Sequence, residues 1–328
     1  MLHRLKRAAA YLLVASAALA LGPGYSADAQ PAWPTKPVTF VVSYPPGGGA
    51  DLMARLIASK MSEVVGQPVV VDNKPGAAGQ IGAAYVAKAR PDGYTVLVDA
   101  SSFAINPGLY PKLPYDPKAF RAVGVAALFP HVVVVTPGHE AKSAAELVAL
   151  AKAKPDAISY ASSGTGSAQH LAGALFQQRT GARMLHVPYK GGGPAMNDVM
   201  GGHIPVFFAN VASGLSHIKA GKLRPLAVAG ERRVEALPDT PTLAELGVTG
   251  ADLYEWNAVF VPAGTPDAVM TRLAEALARV VESPDVKERI RSLGGQPFAG
   301  GPAEAARFIA AETERLAGVI KAGDIRPE

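Results

Sequence analysis

The stretch from Val38 to Arg55 constrains this chain more than any other. Val38-Thr39-Phe40-Val41-Val42 is a β-branched and aromatic run. Ser43-Tyr44-Pro45-Pro46 and Gly47-Gly48-Gly49 end it, and a helical pattern starts at once with Ala50-Asp51. Leu52/Leu56 and Met53/Ile57/Met61 recur at four-residue spacing, and Gly66 stands where a C-cap glycine belongs. Asp51 is placed to cap the first turn. Glycines let a ligand approach the main chain closely, and a helix N-terminus presents N–H groups without intrahelical partners at the positive end of its dipole. The stretch therefore predicts an anion site, most simply for a carboxylate; the competing reading is a plain flexible turn. No G-x-G-x-x-G aligns on Gly47, Gly48 or Gly49 and no Gly-Lys-Ser/Thr follows, so dinucleotide and P-loop phosphate sites are not indicated.

The first residues bear on the compartment. Arg4, Lys6 and Arg7 precede an apolar run from Ala8 to Leu21, and Ala27-Asp28-Ala29 has the small-x-small pattern of a cleavage site. That order predicts a secretory signal peptide over residues 1–29 and a periplasmic destination. The run falls short of the roughly 20 apolar residues that a membrane-spanning helix needs. Zero cysteines exclude a lipid-attachment cysteine, disulfides, thiol nucleophiles and thiolate metal sites. Without residues 1–29 the chain keeps 29 of its 32 Lys+Arg and 26 of its 27 Asp+Glu, a net charge of +3. Such a mild excess does not call for nucleic acid and is compatible with a small acidic ligand. About 300 remaining residues exceed what one core usually serves, which predicts two domains.

Strands and helices alternate along the rest of the chain. Pro68–Asp72 reads as a second strand, Gln80–Lys88 as a helix after the glycine-rich turn 73–79, and Tyr94–Val98 as a third strand. This argues for a parallel sheet covered on both faces. Residues 99–107 read as a loop beyond a strand's carboxyl end, where ligands of open α/β sheets sit, with Ser101, Ser102 and Asn106 as candidate polar contacts. The apolar run His131–Thr136 reads as a crossing into a second domain, and Trp256–Val261 as the return. Between them Ile204–Asn210 is a buried strand whose last residue, Asn210, is a candidate for facing the cleft. Pro194, Thr240-Pro241, Thr265-Pro266 and Ser283-Pro284 read as helix starts, and the last helix as Pro302 to Ala322.

Ser162-Ser163-Gly164-Thr165-Gly166-Ser167, followed by a helix through His170, repeats the arrangement of strand, small-residue loop and helix N-terminus. Its hydroxyls add directed donors to the backbone amides. An alternative is a secreted serine hydrolase using Ser163 or Ser167 with His170 as base. The order Gly164-Thr165-Gly166-Ser167 is not the G-x-S-x-G elbow, however, and ligand binding explains the residues more simply. The seven histidines show no ligand spacing such as H-E-x-x-H, so neither metal nor cofactor is expected. A regulator's effector-binding half shares the two-lobe plan, but the signal-peptide pattern stands where its DNA-binding segment would be.

Motifs along the whole of residues 44–242 resemble the Bug family of solute-binding receptors, also called the tripartite tricarboxylate transporter receptor family. The matching stretches include Tyr44–Asp51, Asp72–Ala77, Arg90–Tyr94, Ile105–Pro107, Leu109–Asp116, Tyr160–Gly164, Gln169–Gly173, His186–Gly192, His217–Arg224 and Leu237–Thr242. The resemblance implies a non-enzymatic, two-lobed periplasmic binding protein of the type II kind. Each lobe would be a mostly parallel sheet flanked by helices, with two crossing strands at the hinge. Lobe 1 is then residues 30–130 plus 253–328, and lobe 2 residues 131–252. It also implies a monomer that binds a small carboxylate or amide and serves integral-membrane permease subunits. Tyr44, Gly47, Gly48, Gly49, Ala50, Asp51 and Ser101 would grip the ligand from lobe 1. Ser162, Ser163, Gly164, Thr165, Gly166, Ser167, His170 and Asn210 would do so from lobe 2. Two positions depart from the family pattern: Ala50 replaces a hydroxyl residue, and Ala209 replaces an Asp or Gly, which weakens the case for amino-acid ligands.

If the signal-peptide reading holds, intact-mass analysis of protein recovered from the periplasm gives an N-terminus at or next to Gln30. Uncleaved protein in the membrane fraction would overturn it.

Overall fold

The computed structural model describes residues 33–298 and 300–327, so the predicted signal peptide lies outside the described residues. In chain order the elements are β1 (Val38–Val42), α1 (Gly49–Val65), β2 (Val69–Asn73), α2 (Gln80–Ala87), β3 (Thr95–Ala100), α3 (Ser102–Leu109) and β4 (Phe120–Val135). Then come α4 (Ala144–Ala153), β5 (Ser159–Ser162), α5 (Ala168–Thr180), β6 (Leu185–Pro188), α6 (Gly192–Met200), β7 (Val206–Asn210), α7 (Val211–Lys219) and β8 (Arg224–Ala229). The chain ends with β9 (Tyr254–Pro262), α8 (Asp267–Glu282), α9 (Pro284–Ser292), β10 (Gln296–Pro297) and α10 (Pro302–Ala322).

β4 joins everything. Its first part, Phe120 to Pro130, pairs antiparallel with β9, and its last part, His131 to Val135, pairs antiparallel with both β7 and β8. Ala229 stands opposite His131 and Tyr254 opposite Pro130, so β8 and β9 follow one another along β4 while residues 230–253 loop out. Beyond β9 lie β3, β1 and β2, with β1 parallel to both of its neighbours; beyond β7 lie β5 and β6, also parallel. The parallel pairs sit at the two ends, and antiparallel pairs surround the crossing strands. The near-continuous apolar character of β4 follows from this position, because covering helices leave neither face to water.

Two cores result. One gathers Phe103, Trp256 and Phe260 with Leu316 and Ile320 of α10; the other gathers Val133, Phe176 and Phe208. α5 serves both, with Leu171 and Leu175 in the first and Ala172 and Phe176 in the second. Lys36 to Glu328 accordingly form one compact unit.

Several local expectations change. Of residues 99–107, expected as a loop, 102–107 lie in α3, with Pro107 inside it. Serine, asparagine and proline are turn-formers by propensity, but burial of Phe103, Ala104, Ile105 and Leu109 outweighs that. No α-helix follows Thr240-Pro241; Ala244–Leu246 makes a short 3₁₀ turn instead, with the Thr242 hydroxyl accepting from Glu245 N–H. α6 starts at Gly192, two residues before Pro194. In α1 the Met53/Ile57/Met61 row is buried while Leu52 is exposed.

Phe260 stacks on Phe103 with ring centroids 4.2 Å apart and is fully packed at the centre of the first core. Phe260→Ala should lower unfolding free energy by about 3–5 kcal/mol in urea denaturation. A loss under about 1 kcal/mol would mean that this cluster is not the core's centre.

Candidate functional site

α1 begins without a side-chain cap. Gly48 is its N-cap in extended conformation, and the first-turn N–H groups of Gly49 and Ala50 have no intrahelical acceptor. Asp51 does not cap the turn ahead of it, as its position suggested. It lies inside the helix and turns back, accepting from Gly47 N–H at 3.0 Å, from Arg55 Nε at 3.0 Å and from Asn73 Nδ2 at 2.9 Å. Its carboxyl is held below the ordinary range by the hydrogen bonds of Arg55, Asn73 and Gly47, which outweigh the opposing effect of burial. Asp51 therefore fixes the loop rather than facing a ligand. Gly47 makes the turn at φ +86°.

A narrow cavity of about 10 Å³ lies over this helix end. Tyr44, Gly48, Gly49 and Ala50 line it together with Ser163, Gln169, Gly192, Ser213 and Glu255 of β9. Gly164 and Thr165 line an adjoining space with Tyr44, Ala78, Tyr110 and Lys190. The walls approach closely: a Cβ on Gly49 would lie 2.8 Å from the Asn210 amide, and one on Gly191 2.2 Å from Pro45 Cγ. The Tyr110 hydroxyl donates to Thr165 O at 3.0 Å. Asn210 reaches this position as the N-cap of α7, its Oδ1 accepting from Ala212 N–H at 2.8 Å.

Other sequence candidates have structural work. Ser101 is buried in the sheet, its Oγ accepting from Trp256 N–H at 3.0 Å and facing Tyr254 O at 3.4 Å. The Ser162 hydroxyl pairs with His186 Nε2 at 2.7 Å and accepts from Gly164 N–H at 3.1 Å. Ser167 caps α5 by accepting from His170 N–H, while His170 Nδ1 accepts from Gly166 N–H at 3.3 Å and its ring stacks on His186. The Ser163 hydroxyl donates to Gln169 Oε1 at 2.6 Å. Neither proposed serine is bonded to the His170 ring, so the hydrolase pairing is not assembled. Ala209 is buried with its Cβ 3.4 Å from the Cβ that a residue at Gly214 would carry, so this departure faces α7 and not the cavity.

Sequence reasoning missed Gln169, Ser213 and Glu255. Gln169 stands beside His170, and Glu255 is a lone acid at the start of an apolar strand; that acid is the available signal. Beneath the cavity, Ser43 Oγ donates to Asp99 Oδ1 at 2.5 Å, and Ala100 N–H and Ser102 Oγ also donate to that oxygen, at 2.8 and 3.3 Å. Burial pushes both Asp99 and Glu255 up to about 7 despite these donors and Gln169. It pushes His131 and His186 down to about 4.

A mixed α/β sheet divided by crossing strands, with a helix N-terminus opening into an interlobe-type cavity, defines a periplasmic binding protein fold. The chain belongs to the tripartite tricarboxylate transporter receptor family, whose model matches residues 53–325. The family is one of periplasmic solute receptors, not enzymes. BugT of Bordetella pertussis (strain Tohama I) is 38% identical over 299 residues, 90% of this chain and 91% of that protein. The solved structure of R. palustris Rpa4515 with adipate is 36% identical with TM-score 0.88, covering 90% of this chain and all of that one. MatC of Rhodopseudomonas palustris with bound malate is 28% identical with TM-score 0.82, covering 88% and 100%. Among the described residues no helix is long and apolar enough to cross a membrane.

The two buried carboxyls set a pH dependence. Each keeps its proton in the fold up to about pH 7, while the unfolded chain releases it near pH 4, so the fold is favoured at low pH and loses stability as that proton leaves. The two histidines contribute the opposite slope, but between about pH 4 and 6.5, where the unfolded chain binds the extra proton. The two slopes offset between about pH 4 and 6.5, and above pH 7 only about 0.4 kcal/mol per carboxyl is left to lose. Thermal unfolding from pH 4.5 to 7 should therefore be nearly flat in the parent, whereas Glu255→Gln, which removes one falling contribution, should gain stability as the pH rises. A flat profile in both proteins would contradict the burial argument.

Proposed function

We propose that this chain is an exported, monomeric receptor that closes two lobes on a small carboxylate and presents it to integral-membrane permease subunits of a tripartite tricarboxylate-type transporter. The observation that carries the reading is the uncapped N-terminus of α1, whose Gly48, Gly49 and Ala50 line one cavity together with Ser163 and Gly192. The lobes are residues 30–130 with 253–328, and residues 131–252. The change of β4's partners between Pro130 and His131 supports this division, as does the return along β9. The adipate and malate held by similar proteins support a small carboxylic acid as the ligand class.

A hydrogen bond to a charged group contributes roughly 1.5–3 kcal/mol and a helix N-terminus about 0.3–1. Several of these, less the costs of ordering and desolvation, suffice for micromolar affinity at about −8 kcal/mol. A thermal-shift screen of small carboxylates and amides, followed by calorimetry, tests the reading, because a ligand specific to the folded state raises the melting temperature. Gly48→Val is the decisive variant. Gly48 has ordinary extended backbone, and an added Cβ would meet only Pro45 O at 3.8 Å, so the fold accommodates it while the side chain fills the cavity. Binding should weaken at least about a hundredfold, roughly 2.8 kcal/mol, with the unfolding midpoint nearly unchanged. Parental affinity in Gly48→Val would place the ligand elsewhere.

A further inference from the structure

The cavity is polar in a directed way. On the α1 side it offers the N–H groups of Gly49 and Ala50, which are donors. Glu255 and Ser163 belong to the same lining and are linked to each other through Gln169. Glu255 is 5% exposed and firmly positioned, because Ser101 Oγ meets the backbone on both sides of it, at Tyr254 O and Trp256 N–H.

The hydrogen bonds around Glu255 form a chain with a fixed sense. Its Oε2 accepts from Gln169 Nε2 at 2.8 Å. That turns the Gln169 carbonyl toward Ser163, and Gln169 Oε1 accepts from Ser163 Oγ at 2.6 Å. The only hydroxyl proton of Ser163 is thereby engaged, leaving lone pairs toward the cavity. An ionised carboxylate at the end of the chain thus makes both Glu255 and Ser163 acceptors.

We propose that Glu255 and Ser163 form an acceptor wall that makes this cavity select a small carboxylate bearing a hydrogen-bond donor, an amide N–H, ammonium or hydroxyl group, over a plain dicarboxylate. The inference rests on the carboxylate reading above and names the ligand's second group. A second carboxylate would face two acceptors and a like charge in a dry site, an arrangement that buried polar groups strongly penalise.

The wall changes sense when Glu255 takes up a proton. A protonated Glu255 can donate to the Gln169 carbonyl, the amide turns over, and Ser163 is freed to donate into the cavity. The titratable groups that face Glu255 are His131 of β4, with Nε2 4.0 Å from Oε2, Asp99 of β3, and Tyr44 at the end of β1. Among the described residues no lysine or arginine pairs with it. Burial raises Glu255 to about 7, so the change falls within an accessible range.

Calorimetry on the mature protein at pH 8 tests this with two isosteric pairs, succinate against succinamate and adipate against adipamate. The monoamide of at least one pair should bind at least about tenfold more tightly, and Glu255→Gln should reduce that ratio to about threefold or less. Diacid binding by the parent should strengthen about tenfold from pH 8 to pH 6, and that dependence should vanish in Glu255→Gln, which rules out His131 and Asp99 as its source. Ser163→Ala, which leaves the carboxylate in place, should lower the monoamide preference to a lesser extent. Equal binding of diacid and monoamide by the parent overturns the acceptor wall and leaves the carboxylate reading standing, as does an unchanged ratio in Glu255→Gln. If no probe binds and the broader carboxylate screen is also empty, the carboxylate reading falls and this inference with it.

Discussion

The hydrogen-bond ladder along β4 is the constraint on which the rest depends. One sixteen-residue strand exchanges its partners midway, from β9 and β10 to β7 and β8, and so belongs to both ends of the sheet. β8 and β9 run back along it, which gives the chain a second passage between the two ends. Strands that cross in this way must be buried on both faces and paired on both edges. Their valines and alanines satisfy the first demand and their antiparallel partners the second. Because the crossing strands sit between the parallel ends, two helix-bearing loops, after β1 and after β5, face each other across a gap.

That gap is organised by what each loop does with its own donors. After β5, Ser167 accepts from His170 N–H in the first turn of α5, and His170 Nδ1 accepts from Gly166 N–H in the loop before it. After β1, Asp51 accepts from Gly47 N–H and ties the loop to Arg55 and Asn73. One helix start carries a side-chain cap and the other does not. The uncapped one lies against a cavity whose remaining polar lining comes from Ser163, Gln169 and Glu255, so the site has both donors and acceptors.

Close packing of the walls explains the glycines better than flexibility does. Gly49 and Gly191 are required because Asn210 and Pro45 occupy the space that a side chain would need, whereas Gly48 has open space beside it. The first two shape the cleft, and the third leaves room within it. A glycine-rich sequence does not distinguish these roles, since each depends on what another part of the chain brings alongside.

The sequence by itself determined the local elements. Runs such as Val38–Val42 and His131–Val135, the four-residue row Met53/Ile57/Met61, the C-cap Gly66 and the limits of Pro302–Ala322 follow from periodicity and backbone preference, which are short-range properties. The glycine loop and the helix start after it were legible for the same reason, because they are contiguous. Tertiary structure alone decided what each polar side chain faces. Asp51 and Ser101, expected at the ligand, hold the loop and the backbone of β9, and Ala209 packs toward a helix. Gln169 and Glu255, 86 residues apart, become a site only when β9 returns beside β4 and meets α5. Hydrogen bonds between distant segments depend on how the crossing strands bring those segments together, and no local pattern in the chain encodes that distance.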